Sequence, residues 1–535
     1  MSQRSLQAFD LELDADVLVI GGGPAGTWAA ITAASKGSKV VLVDKGYCGS
    51  SGATAPSGTG VWYVKPDGQL REEAKQSRYG LGGRLAEHQW MDRVLDRTYE
   101  NMNKIGQWGY PFPLDDNGTQ YRKGLQGPEY MKLMRRLVQK SGVLVLDHSP
   151  ALELLADEHG VGGAAGVRTQ AGGTWTVRAS AVIIASGGCA FLSKALGCNV
   201  LTGDGYLLAA EAGAELSGME FSNAYAISPT FSSVTKTAYY RYASFYYEDG
   251  SVVEGAGSTS GRSVIARSLL AGRQVYARLD QAPADIHHLL RTGQTNFFLP
   301  FDRLGINPFT DKFPITLRLE GTVRGTGGIH ITDENCAAKV PGLYAAGDAA
   351  TRQLICGGFT GGGSHNAAWA MSSGSFAGEG ASLYAKSIGS KPESRHLKGL
   401  SSSPLVTTGG GLKASRTEEH IRAVQEEVTP YDRNLFRTAA GLQASIGRLD
   451  DLWHDLRSQA VTLNPQGVKA REAAAMTATA RWMYSSALAR TETRGMHKRV
   501  DFPQQDTEQR YRLLSGGLDQ VWVKPEEVQK EAVSL

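Results

Sequence analysis

The sequence predicts an α/β protein: a nucleotide-binding domain of parallel strands and helices, an inserted α+β domain, and a helical C-terminal domain. Three observations predict it. Asp16–Gly26 reads DVLVIGGGPAG, an apolar run breaking into closely spaced glycines. Residues 222–312 lose the glycine motifs and gain aromatics, as in AYYRYASFYYEDG. From about Ala414 the chain shows helical periodicity with charged faces.

The N-terminal element is a Rossmann-like start. Val17–Ile20 suits a buried parallel strand. Gly21 permits the tight turn, Gly23 allows a pyrophosphate to approach the backbone, and Gly26 lets the next helix pack close to the sheet. Free N–H groups at that helix start then face negative phosphates. A second apolar run, Val40–Val43, ends in Asp44, placed to accept ribose hydroxyls. Strand, glycines, helix, strand and acid in this order indicate a bound dinucleotide.

Further along, residues 70–140 read as mostly helical, with Glu129–Val143 at clear helical spacing. Val143–Asp147, Gly162–Arg168 and Trp175–Arg178 read as strands leading into Ala181–Ala185, a buried strand followed by Ser186-Gly187-Gly188. Thr202–Gly205 opens a helix, GYLLAAEAGAEL. After the insert the glycine motifs resume with Thr326–Ile329 and then Gly342–Asp348, GLYAAGD. Residues 389–413 are rich in Ser, Gly and Pro and read as a linker. The domains are therefore expected at 1–221 and 313–390 (two parts of one nucleotide-binding unit), 222–312 and 413–535.

Bulk properties exclude several classes. With 56 basic and 53 acidic residues, net charge +3 and no dominant basic run, nucleic acid is not expected as a partner. No apolar stretch reaches the roughly 18–20 residues of a membrane helix. The N-terminus lacks an apolar signal core, so a cytoplasmic protein is expected. Five cysteines (Cys48, Cys189, Cys198, Cys336, Cys356), none in a CxxC, argue against a disulfide framework, a zinc ribbon or an iron–sulfur cluster housed in this chain. No metal is expected.

Three nucleotide-binding elements in fixed order, GGGPAG, ASGG and GLYAAGD, give the chain its resemblance to the fumarate reductase/succinate dehydrogenase flavoprotein family. That family also includes L-aspartate oxidase and the adenylylsulfate reductase flavoprotein. SSGATAPSGTG, TGDGYLLAAEAGAEL, TGGIHI and ARTETRGMHKRVDFP extend the resemblance over roughly residues 14–505. It implies an FAD enzyme with an inserted capping domain. By resemblance, Asp44 holds the adenosine ribose and Asp348 the ribityl or pyrophosphate region. Ser51, Gly52 and Ala53, with Thr202 and Asp204, line the flavin. Ala25, Lys45, Ser186, Gly187, Gly347, Asn366 and Ala367 are candidate cofactor contacts in the same motifs.

The departures from that family are informative. Covalent members carry His-Thr where this chain has Ser51-Gly52-Ala53, so non-covalent FAD is expected. This loop, Met371–Phe376 and Thr491–Gly495 look closest to the adenylylsulfate reductase flavoprotein. The dicarboxylate set is largely missing: Phe-His-Pro-Thr is answered by Ile227-Ser228-Pro229-Thr230. His-Tyr-Thr-Met-Gly-Gly-Ile is answered by Val323–Ile329, and Asn-Arg-Leu-Gly-Gly-Asn by the arginine-free Thr360–Asn366. Arg-Gly-Glu-Gly-Gly corresponds only loosely to Gly255–Gly261. Succinate and fumarate are therefore poor candidates.

The expected function is hydride transfer between flavin N5 and a small organic substrate, by dehydrogenation or reduction of a C–C or C–N bond. The candidate catalytic residues are His365 (a base or charge stabiliser near flavin O2), Arg262 and Arg324, with Ser228, Tyr239 and Tyr240 as a possible wall. His330, Arg494 and His497 also have structural readings: a core histidine and domain closure. The alternative is an electron-transfer subunit acting with an iron–sulfur partner.

Overall fold

The computed structural model describes residues 9–114, 118–360, 364–388, 391–406 and 414–527. Glycines 361–363 of the Thr360–Asn366 stretch, residues 407–413 of the expected linker, and both chain ends lie outside them. In chain order the elements that build the cleft are β1 (Leu11–Ile20), α1 (Pro24–Ser35), β2 (Val40–Val43), α2 (Gly68–Leu81), β3 (Leu144–Leu146), β4 (Ala151–Asp157), β5 (Gly160–Val167), β6 (Thr174–Ile184) and α3 (Asp204–Glu211). There follow β7 (Ala224–Pro229), β8 (Ser244–Tyr246), α4 (Gly261–Leu270), β9 (Val275–Arg278), β10 (Phe313–Gly321), β11 (Leu343–Ala345) and α5 (His365–Ser387). The last helices are α6 (Ala414–Val428), α7 (Ala439–Ser458) and α8 (Pro465–Ala489).

The central sheet runs β4-β5-β6-β1-β2-β3, extended beyond β4 by Lys398–Gly399, with β11 on the distal half of β6. The two runs expected at 175–178 and 181–185 form one strand, β6, whose halves differ. Thr174–Arg178 pairs antiparallel with β5, while Val182–Ile184 pairs parallel with β11. Along its whole length β6 runs parallel to β1, with Val17 opposite Ala181 and Ile20 opposite Ile184. The carboxyl ends of β1, β2, β6 and β11 thus align, and the chain leaves them at Gly21, Asp44, Ala185 and Ala346. In open α/β sheets ligands bind at this edge.

Strand and helix choice follow composition. Val17–Ile20 and Val40–Val43 are fully buried, as strands covered on both faces must be. Helix α1 starts at Pro24, whose missing N–H costs nothing in a first turn. Helix α5 crosses α1 closely because its contact residues are small. A Cβ on Gly374 would stand 2.3 Å from the Ala25 carbonyl oxygen, and one on Gly378 2.5 Å from that of Ala29.

The insert is a four-stranded antiparallel sheet, β7-β10-β9-β8, packed on an aromatic cluster that includes Phe297, Phe301 and Phe313. Its strand β10 comes from Phe313–Gly321, so the sheet reaches past residue 312. The C-terminal part is helical in α6–α8, and α8 is buried almost throughout. The C-terminal part also contains a hairpin, Leu513–Gly516 with Trp522–Pro525, whose first strand pairs with Leu216–Ser217. The expected helix over 205–216 accordingly stops at Glu211 so that Leu216 can join this sheet. Among the described residues no helix is long and apolar enough to cross a membrane.

A tight packing constraint at the cleft is Gly26, where a Cβ would lie 1.8 Å from the Gly21 carbonyl oxygen. Gly26→Ala should destabilise the protein by about 1–3 kcal/mol, as overpacking does. Thermal unfolding at fixed pH checks this; an unchanged Tm would show that α1 is free to shift outward.

Candidate functional site

One long cleft runs along the carboxyl edge of the central sheet, from the β3–β4 connection to the hinge of the insert. Of the expected cofactor residues, Gly21, Gly23, Ala25, Asp44, Lys45, Ser51, Gly52, Ala53, Ser186, Gly187, Asp204, Gly347, Asp348, Asn366 and Ala367 line it. Two do not. Gly26 faces Gly21, consistent with a packing role, and Thr202 is buried behind the wall, where its hydroxyl accepts a hydrogen bond from Lys45 at 2.7 Å.

At the centre, Gly21 adopts φ +109° and its missing Cβ leaves room for Ala185, whose carbonyl oxygen is 2.4 Å from the ideal Cβ position. A Cβ on Gly23 would meet nothing within 4 Å. No side chain caps the start of α1 and no acid stands in its first turn, leaving its N–H groups to an anion. Asp44 accepts from the Gly22 N–H at 2.5 Å and the Gly46 N–H at 2.7 Å. Burial raises the pKa of its carboxyl, opposed by these two bonds. Helix α5 sets the opposite wall: Trp369 donates to the Gly347 carbonyl at 3.0 Å and Ser373 accepts from the Gly347 N–H at 2.9 Å. This holds Asp348 toward the cleft, paired with Arg352.

Lys45 lines the wall, but its charge is compensated. Its ammonium meets Asp204 at 2.8 Å and Glu472 of α8 at 2.7 Å. Burial pushes its pKa down, and the two carboxylates more than restore it. Val468 and Arg471 of the same helix also line the cleft, Arg471 being anchored on Glu211 at 2.6 Å.

The insert end carries concentrated charge. Lys236 and Arg324 line the cleft and both pair with the fully buried Glu320, at 2.9 and 3.3 Å. Thr235 donates to the same carboxylate at 2.6 Å. Burial raises the Glu320 pKa, but Lys236 and Arg324 outweigh it and bring it down to about 2. Arg262, at the start of α4, stands beside Arg324 rather than on the cleft wall. Burial and the Arg324 charge lower its pKa to about 10, and its Nε has no partner.

His365 is also set back: Ser364, Asn366 and Ala367 line the cleft while its ring packs against Trp62, centroids 4.5 Å apart. Both ring nitrogens are buried without partners, and burial with nearby Arg78 of α2 holds its pKa well below the ordinary histidine range. A neutral imidazole results at physiological pH. Ser228 is turned away, fully buried and donating to the Ser232 carbonyl at 2.8 Å. Tyr239 and Tyr240 pack on Phe297 inside the insert, not on the cleft. His330 is partly buried and pairs with Glu526 at 3.0 Å. Arg494 pairs with Glu492 and donates to the Gly83 carbonyl, while His497 meets Arg437 at 2.9 Å, joining distant segments.

The sequence reading missed several wall residues: Ser149–Leu152, Lys236–Ala238, and Val468 with Arg471. They belong to no glycine motif and reach the cleft only through tertiary packing. The residues fit a flavin dinucleotide. Ser186 Oγ and Asn366 Oδ1 are buried without partners, and the space beside Gly23 and Gly52 is open.

Residues 16–230 match the family model of the FAD binding domain, and residues 424–533 that of the fumarate reductase flavoprotein C-terminus. The chain is 26% identical to a Mycobacterium tuberculosis fumarate reductase flavoprotein subunit, over 92% of this chain and 93% of that protein. Its fold is that of Escherichia coli quinol fumarate reductase, with TM-score 0.82 at 21% identity over 98% of both chains. Adenylylsulfate reductase of Archaeoglobus fulgidus shares it too, with TM-score 0.75 at 18% identity over 98% of this chain and 99% of that one.

Because the native pKa of Glu320 lies below its ordinary 4.5, its ion pairs contribute fully above pH 4.5 and are lost as pH falls through about 2. The Tm difference between wild type and Glu320→Gln should therefore be largest near neutrality and shrink between pH 4.5 and 2. Differential scanning calorimetry across that range checks it, and a pH-independent difference would contradict it.

Proposed function

Because the chain belongs to the fumarate reductase and succinate dehydrogenase flavoprotein family and is an FAD-dependent oxidoreductase, we propose that it moves a hydride between flavin and a small organic substrate at a C–C or C–N bond, and that succinate and fumarate are not its substrates. One observation carries the second clause. The cations elsewhere on the cleft, Lys45 and Arg471, are neutralised by Asp204, Glu472 and Glu211, which leaves Arg324 and Arg262 at one end, while Ser228 is spent on Ser232 and Val323 stands where the family has histidine. A dicarboxylate needs charge-assisted contacts at both ends, and losing one set removes most of its binding.

FAD, when bound, supplies a hydride acceptor or donor at N5. The chain's own residues do the rest. Gly21, Gly23 and the start of α1 receive the pyrophosphate, Asp44 the adenosine ribose, and Asp348 the ribityl region, with Ala25, Lys45, Ser186, Gly187 and Asp204 completing the walls. Ser51, Gly52, Ala53, Asn366 and Ala367 border the ring. Arg324 orients the substrate. Arg262, whose Nε is without a partner beside Arg324, is the group assigned in this reading to giving or taking the second proton at a guanidinium nitrogen. His365, being neutral, supports the wall around Asn366 without adding charge.

Anaerobic mixing with amines, amino acids and monocarboxylic acids should bleach the flavin for the right class. No bleaching by any of them, with no reoxidation of reduced flavin by enoates, would overturn the reading. For a substrate found this way, Arg262→Met should slow flavin reduction by about 10²–10⁴-fold with FAD content unchanged; stopped-flow absorbance measures it.

The cleft wall among the described residues offers Ser51, Gly52 and Ala53 at the covalent-attachment loop and contains no histidine or cysteine. Acid precipitation should therefore leave yellow flavin in the supernatant; a yellow pellet would contradict non-covalent binding.

A second reading is a flavoprotein subunit that passes electrons to an iron–sulfur partner. The relative's designation as a subunit supports it, as do five cysteines that are all buried and unpaired here. Co-purification with a brown iron–sulfur protein from the native source distinguishes this from an enzyme that turns over alone. A cytoplasmic location accompanies either reading.

A further inference from the structure

We propose that Cys198 and Lys236 form an oxidation-sensitive pair behind the cleft wall, in which hydrogen peroxide joins the cysteine sulfur to the lysine nitrogen through one oxygen atom and so fastens the insert to the nucleotide-binding domain. The inference goes beyond the hydride-transfer reading and does not depend on which substrate the flavin serves.

Lys236 belongs to the insert and lines the cleft, and its ammonium donates to Cys198 Sγ at 3.2 Å. Cys198 belongs to the nucleotide-binding part and is buried. Two further bonds tie the segments. The Leu196 N–H donates to the Ser233 carbonyl at 2.8 Å, and the Leu196 carbonyl accepts from Lys236 at 3.1 Å. Close backbone approach sets the pair beside the loop of Ser51, Gly52 and Ala53. Gly197 adopts φ +76°, and a Cβ there would stand 2.6 Å from the Gly52 carbonyl oxygen. Val200 and Leu201, just after the cysteine, line the same cleft. Among the described residues, Cys198 is the one cysteine whose sulfur accepts from a lysine; Cys48 Sγ, by contrast, meets the Gly22 carbonyl at 3.5 Å.

The chemistry balances with peroxide as the oxidant. The thiol sulfur takes one oxygen from a first peroxide, giving a sulfenic acid and water. A second peroxide removes two electrons from the Lys236 amine as its nitrogen bonds to the sulfenic oxygen, and two waters leave. Sulfur and nitrogen are each oxidised by two electrons, and both peroxides are reduced. The ammonium must first give up a proton, and Glu320 at 2.9 Å is placed to take it. Hydrogen peroxide arises in such a cleft whenever dioxygen, rather than substrate, takes electrons from a reduced flavin. Burial pushes the Cys198 thiol up and the Lys236 charge opposes it. Thiolate is therefore scarce, and the pair answers sustained oxidation rather than single turnovers. Once joined to oxygen, the Lys236 nitrogen is too weakly basic to stay charged, and Glu320 is left to Arg324.

The test uses the FAD-loaded full chain, incubated with hydrogen peroxide, cleared of it with catalase, denatured with N-ethylmaleimide to cap free thiols, and digested without reduction. Mass spectrometry should find one peptide pair joining Cys198 to Lys236, about 14 Da heavier than the two peptides summed, for one oxygen gained and two hydrogens lost. Untreated protein should lack the pair, and dithiothreitol should return the free thiol and amine. Cys198→Ser should abolish it. Lys236→Arg keeps the cation but offers no amine, so Cys198 should instead stop at a sulfenic acid that dimedone labels. A peroxide-treated wild type with no joined pair, whether Cys198 stays a free thiol or goes on to sulfinic or sulfonic acid, overturns the proposal. A pair joined without the oxygen overturns it too. The wild-type result stands by itself, so misfolding of either variant leaves the test intact.

Discussion

The cleft depends on how closely backbone meets backbone at the carboxyl edge of the sheet. Gly21 abuts Ala185, Gly26 lies over Gly21, and Gly374 and Gly378 of α5 lie against Ala25 and Ala29 of α1. Each contact uses the absence of a Cβ. Together they bring the first turn of α1, the end of β6 and the Gly347–Asp348 corner to one line. Dispersion and backbone hydrogen bonding at such short range fix positions more tightly than long side chains do. The charged groups are then hung on a frame that does not adapt to them.

A second layer ties that frame to the C-terminal helices through buried ion pairs. Lys45 joins Asp204 and Glu472, Arg471 joins Glu211, and Arg490 bridges Glu220 and Glu492. Such pairs are poor stabilisers compared with apolar packing, because desolvation offsets most of their attraction. What they provide is register. A helix held by Glu472 on Lys45 and Arg471 on Glu211, with Arg490 just past its end on Glu220, has one docked position, and that position carries Val468 and Arg471 to the wall of the cleft.

The part of the site written in local sequence was legible. Gly21, Gly23, Asp44 and Asp348 each meet a backbone or charge requirement that a single short motif states. The part made by folding was not. Lys236 and Glu320 lie 84 residues apart, on the segment after β7 and on β10, and nothing in either stretch marks it as a partner of the other. Burial also reversed an apparent meaning: His365 and Ser228 look available in the sequence, yet the structure seals both behind the wall. The antiparallel pairing of Leu216 with the C-terminal hairpin was invisible for the same reason, since a two-residue strand has no periodicity to read.

The placement of Val468 and Arg471 bears on how the protein is made. The glycine turn that opens the cleft is translated within the first thirty residues, whereas the helix that completes the wall emerges more than four hundred residues later. An N-terminal sheet folding on the ribosome has its nucleotide edge open to solvent throughout that interval. The wall of the cleft is thus complete only with α8 docked against the sheet.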